Sequence, residues 1–211
     1  MEWVNKIGRI VVLNLSHRTD RLLFITEQFE KYSIPFGRVE AIYDIEQGAR
    51  GLRDTMCKLF KEELEKGTEH LLVFEDDCLF VEGVDTFHEA MNKVMEQLPE
   101  NYHCIYLGGQ LTSRITNFHS ANLIPVTKYF ATHSVIYSRD AMQQMRESMG
   151  FPIDNWMVDN LQTLGKCYAT FPLLTSQIEG YSDIGKNRID WNPFIVPRYE
   201  QKIGEYRRGE R

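Results

Sequence analysis

Three carboxylates stand side by side in HLLVFEDDCLF (His70 to Phe80): Glu75, Asp76 and Asp77. Adjacent like charges repel, and burying one unpaired is costly or forces it to take up a proton. With VF before and CLF after, the triplet is an acidic island in buried chain, so water or a cation must be there. Hard cations such as Mg²⁺ and Mn²⁺ take carboxylate oxygens and share them with substrate phosphates. A metal–diphosphate site is one expectation, and a solvated acidic turn is the other.

FPIDNWMVDNL supplies two more carboxylates, Asp154 and Asp159. Five positions apart, they project from different faces of a helix. Either could deprotonate an attacking hydroxyl as a general base. Asp154 follows a Pro-bounded loop and begins a helix, where Asp is also a frequent N-cap. Asp159 reads equally as an ordinary helix-surface charge. His133, in ATHSVIYS, is the kind of lone strand histidine that is usually a hydrogen-bonded core residue, with a donor contact as its functional alternative. Lys186 and Arg188 fall in a tail expected to be flexible and read as solvated charges, although they could clamp a phosphate.

These residues need elements to hold them. Arg9 to Leu15 is β-branched-rich and apolar, a buried strand. Thr19 or Asp20 can cap a helix with Leu22, Ile25, Phe29 and Tyr32 on one face. A strand over Gly37 to Ile42 follows, then a helix opened by Gly51 with Gly67 just past its end. His70 to Phe74 is a strand, Asp85 to Leu98 a helix, and Cys104 to Leu107 a strand. Lys128 to Tyr137 reads as one long strand, with Ser138 capping the next helix. Asp154 to Leu164 is helical and Lys166 to Phe171 is the last clear strand, leaving Gln110 to Thr127 as loop. Strands alternating with helices imply a mostly parallel central sheet flanked by helices on both faces, an α/β fold. Ligands of such sheets collect at the carboxyl ends of the strands, where the triplet would sit.

The chain has 211 residues and a formal net charge of −6. One domain over 1–211 is expected, with the polar stretch 195–211 a terminal helix or a linker to a further domain. The acidic balance argues against nucleic acid as partner. Four scattered cysteines without a CxxC pair fit neither a zinc site nor a disulfide framework. No signal peptide and no apolar run long enough to span a bilayer is legible, so a cytoplasmic location is expected.

VVLNLSHRTDR, a helix, IPFGRVEAI, and a Gly-led helix leading to LLVFEDD together resemble the glycosyltransferases of family 25, which include lipopolysaccharide and collagen galactosyltransferases. HSVIYSRDAM, FPIDNW and YSDI follow in that family's order, so the resemblance runs from about Arg9 to Ile184. It implies a GT-A type, Rossmann-like fold. It also implies a metal-dependent transfer of a hexose from a nucleotide-diphosphate sugar, UDP-hexose by expectation, to a glycan or glycoprotein acceptor, with inversion.

On this resemblance Asp77 and Glu75 hold Mn²⁺ (or Mg²⁺), and Glu75 or Asp76 reaches the ribose or a metal-bound water. Leu13, Asn14, Leu15, Arg18 and Arg21 hold the nucleoside, and Asp183 of Ser182-Asp183 approaches the diphosphate or metal. Arg21 has an alternative as a partner of Asp20 or of a neighbouring helix. Asp154 matches the family's Pro-x-Asp segment and is favoured over Asp159 as the base. The chain departs from the pattern at Arg53-Asp54, where Ser-His is usual; Arg53 would face the diphosphate or Asp54 would cap the helix. A non-catalytic sugar-nucleotide or carbohydrate-binding domain is the rival reading. A Mg²⁺-dependent phosphohydrolase fits poorly, because Glu75 stands where a nucleophilic Asp is required.

Overall fold

The computed structural model describes residues 2–209. A short helix α1 (Glu2–Lys6) leads into β1 (Arg9–Asn14), α2 (Thr19–Lys31), β2 (Gly37–Glu40) and α3 (Gly48–Glu65). Next come β3 (His70–Glu75), β4 (Cys78–Phe80), α4 (Val84–Glu96), β5 (Cys104–Tyr106), β6 (Gln110–Leu111), β7 (Leu123–Pro125) and β8 (Tyr129–Phe130). The chain continues through β9 (Ser134–Ser138), α5 (Arg139–Ser148), α6 (Ile153–Asn160) and a 3-10 turn (Gln162–Leu164). It ends with β10 (Cys167–Thr170), β11 (Thr175–Gln177), β12 (Gly180–Ser182), β13 (Asn187–Ile189) and α7 (Asn192–Arg207).

The central sheet has seven strands in the order β2-β1-β3-β9-β5-β10-β7. Five of them share one direction, and β9 and β7 run against it. The mostly parallel α/β sheet expected from the sequence is thus present, with two reversed strands that alternation alone does not reveal.

Side chains alternate between two cores, as the two-residue period of a strand requires. Val11 and Leu13 of β1 join Leu71 and Val73 of β3 on one face, covered by α3, α5 and α7. Val12, Leu72 and Phe74 face the other way, onto α2, α4 and Trp3 of α1. Both layers are needed because apolar strands buried on two faces leave no side for water.

Several elements differ from the sequence reading. No side chain caps α2, because Asp20 is gripped by Arg18 at 2.9 and 3.0 Å. The helix expected to open at Gly51 opens three residues earlier. Gly51 lies inside it because a Cβ there would come within 2.4 Å of the Ile42 carbonyl. The long strand expected over Lys128 to Tyr137 is two strands, broken at Ala131, whose φ of +78° turns the backbone. Within Gln110 to Thr127 lie β6, paired with β8, and β7, the sheet's edge. Lys186 and Arg188 belong to a β12–β13 hairpin rather than a flexible tail. The polar C-terminal stretch buries Ile195, Tyr199 and Ile203 along one side of α7.

Candidate functional site

β1 and β3 are parallel neighbours, so their carboxyl ends, Asn14 and Glu75, open into the same space. That space is a cavity of about 510 Å³. Leu13, Asn14 and Leu15 line it from β1, and Glu75, Asp76 and Asp77 from the turn after β3. Arg21 reaches in from α2, Asp154 from the first turn of α6, and Asp183 from the hairpin.

The three acidic side chains have different partners. Asp76 is buried and accepts from Asn14 Nδ2 at 2.7 Å and from an Arg21 nitrogen at 3.0 Å. Burial raises its pKa and these two donors partly offset that. Asp77 accepts from the same Arg21 nitrogen at 3.1 Å and from Gln177 Nε2 at 3.4 Å. Glu75 has no guanidinium; Thr132 donates its hydroxyl to Oε1 at 2.7 Å. Loss of water, and then the charge of Asp77, push Glu75 up to about 8. One arginine thus serves two carboxylates, and the third lacks a cationic hydrogen-bond partner.

The same arginines tie the hairpin down. Arg21 donates to the Tyr181 carbonyl at 2.8 Å, and Arg18 to Asp183 at 2.6 Å. Arg21 therefore partners the triplet rather than Asp20. Arg18 does not line the cavity but holds a residue that does.

Of the other residues singled out from the sequence, Asp154 is half-buried at the cavity wall, whereas Asp159 is exposed and outside its lining. Arg53 also lies outside the lining: it donates to Asp54 at 2.7 Å and its guanidinium sits 5.1 Å over the Phe151 ring. Asp54 is well inside α3 and does not cap it. His133 is fully buried just behind Glu75, whose backbone N–H donates to the His133 carbonyl at 2.9 Å. Its ring lies 3.3 Å from Thr175 Oγ1, and burial lowers its pKa to about 4, so it is neutral. Thr132, Gln177 and the Tyr181 carbonyl were not foreseen. Thr132 sits in an apolar run that reads as plain strand, and Gln177 in a segment with no periodicity.

Among the described residues, no three His, Cys, Asp or Glu side chains are so placed that they could by themselves hold a metal ion. The site is an acidic cavity at the carboxyl ends of parallel strands in an α/β sheet.

No protein-family model and no curated protein matches the chain. Solved structures do share its course. A glycosyltransferase involved in the glycosylation of the major capsid of PBCV-1 is 14% identical with a TM-score of 0.47, covering 93% of this chain and 100% of that one. Apo UDP-glucose pyrophosphorylase is 12% identical with a TM-score of 0.48, over 100% and 85%. A Drosophila galactosyltransferase 7 mutant in complex with manganese, UDP-Gal and xylobiose is 10% identical with a TM-score of 0.42, over 82% and 71%. At these scores the likenesses decide nothing about activity.

Proposed function

We propose that the chain is a glycosyltransferase of GT-A type, akin to family 25. It moves a hexose from a nucleotide-diphosphate sugar, with UDP as the nucleotide, onto a hydroxyl of a glycan or glycoprotein, inverting the anomeric centre. The observation that carries this reading is one cavity lined by the triplet, the end of β1 and Asp154.

In this reading Asn14 and Leu15 meet the nucleoside and Arg21 orients the carboxylates beside the diphosphate. Asp154 takes the proton of the acceptor hydroxyl as its oxygen bonds to the anomeric carbon and the bond to the diphosphate oxygen breaks. The residues fit a divalent cation: Glu75 and Asp77 are hard oxygen donors, and Glu75 is destabilised as an anion where it lies. A bound Mn²⁺ or Mg²⁺ would neutralise charge on the departing diphosphate. Glu75 and Asp77 would hold it, with Asp77 the main ligand.

Calorimetric titration of UDP tests the reading. Affinity should fall steeply when Mn²⁺ is replaced by EDTA, and Asp77→Ala should reproduce the loss. Equal affinity in both buffers would overturn the cation assignment, and no UDP binding in either would overturn the function.

A further inference from the structure

Arg21 is the one basic side chain among the described residues lining the cavity, against six carboxylates: Asp44, Glu75, Asp76, Asp77, Asp154 and Asp183. Its guanidinium is already committed to Asp76, Asp77 and the Tyr181 carbonyl. An anionic acceptor group would therefore find no uncommitted cationic side chain among the described lining residues. The lining also has an aromatic part. Trp191 lines the cavity there while remaining 39% exposed, and Phe194, 50% exposed, stands edge-on to it at 6.2 Å between ring centroids. Single exposed apolar residues are unremarkable, but a ring on the cavity wall with a second exposed ring packed against it forms a patch.

Trp191 and Asp154 line the same cavity. Helix α6, which carries Asp154, packs on β8; β8 pairs with β6, and β6 packs on α7. The end of β1 lies elsewhere, between β2 and β3. The rings are presented by a fixed element, because Ile195 and Tyr199 of α7 are buried and the Tyr199 hydroxyl donates to the Thr170 carbonyl at 2.5 Å.

We propose that Trp191, backed by Phe194, is the acceptor subsite and that its ligand is an uncharged pyranose ring. A pyranose has a flat C–H face and a hydroxyl edge. The indole face takes the first, and Asp154 with Asn155, both on the cavity wall, takes the second. The proposal rests on the glycosyltransferase reading above and adds the substrate class to it.

Saturation-transfer NMR on the full chain with UDP and Mn²⁺ tests it, using methyl β-galactoside, methyl β-glucoside and methyl β-glucuronide as probes. At least one neutral glycoside should bind, and the glucuronide should bind at least tenfold more weakly. Trp191→Ala should weaken the neutral glycoside by about fivefold or more, the size of a lost aromatic contact, while Trp191→Phe retains most of it. Should Trp191→Ala unfold by circular dichroism, Phe194→Ala carries the test with a smaller loss. Calorimetric UDP affinity, measured on the same samples, separates the two readings. UDP binding with glycosides indifferent to both aromatic substitutions, or with glucuronide bound as well as the hexosides, overturns the subsite. Glycoside binding that depends on Trp191 without any UDP binding supports the subsite and overturns the donor half.

Discussion

Arg21→Met is the most informative single change. It keeps an apolar stem of similar length and removes only the guanidinium. Arg21, Asp76 and Asp77 are 11%, 10% and 15% exposed in their side chains, so this bridge belongs with buried pairs rather than solvent-screened ones. Removing one partner of a buried pair costs about 3–5 kcal/mol, because the other charge is left without compensation. For a chain of this size each kcal/mol moves the melting temperature by about 2–4 °C, which gives a fall of about 6–20 °C. The measurement is thermal unfolding by circular dichroism in EDTA, repeated in Mn²⁺. Mn²⁺ at a hundred times its Kd should return about 2.7 kcal/mol to the variant. It should return less to the parent, where Arg21 already occupies the carboxylates. A fall of under about 2 °C in EDTA would place the bridge among exposed pairs worth about 0–1 kcal/mol, and the electrostatic account of the triplet would be wrong.

Asp154→Asn should lower transfer by at least about a hundredfold with UDP affinity retained, whereas Asp159→Asn, on the exposed face, should stay active; activity in Asp154→Asn would remove it as the base. Gly51→Ala should destabilise the protein and weaken UDP binding together, since its Cβ would sit 2.4 Å from the Ile42 carbonyl on the cavity wall; a normal melting temperature would show that the loop simply moves. The buried histidines should cost stability as pH drops from about 6.5 towards 4, while Glu75, raised to about 8, acts in the opposite sense over the same window. Burial depresses His70, His103 and His133, the last to about 4, so the unfolded chain binds protons first and folding opposes their uptake. The stabilisation is fully present above the unfolded value and lost through that window. His103→Gln should flatten the dependence, and an unchanged profile would remove His103 from the account.

The sequence carried local signals faithfully where one residue type has one structural use. Gly67, at φ +78°, lies just past α3, and the Ser138 hydroxyl accepts from the Ala141 N–H at 3.2 Å as the cap of α5. The apolar runs of β1 and β3 were legible because they are buried on both faces and uninterrupted. Failures came where a residue serves a distant contact. Gly51 resembles a helix opener, yet its reason is the Ile42 carbonyl beside it in space. The polar C-terminal stretch was left open between a terminal helix and a linker; it is the helix α7, with Pro193 in its first turn, where proline is tolerated, and Pro197 in its interior. The candidate site shows the same division. Asn14, Arg21, the triplet, Asp154 and Asp183 surround one cavity and were all singled out beforehand, whereas the environment that sets their charge states was not.

That environment depends on one topological fact. Because β9 enters between β3 and β5 in the reverse direction, its approach from Ala131 to His133 passes the carboxyl end of β3. The left-handed turn at Ala131 frees Thr132 from the strand, so its hydroxyl meets Glu75 while the next carbonyl takes the Glu75 N–H. Continuous strand through this stretch would have kept both partners in a ladder and left Glu75 to water. The break at Ala131 therefore gives Glu75 a side-chain donor, the Thr132 hydroxyl, and fixes its backbone from the same segment. A carboxylate oriented in this way, short of counter-charge and facing a cavity, is what a cation-sharing diphosphate site requires, and the two residues that orient it lie 57 and 58 positions away in sequence.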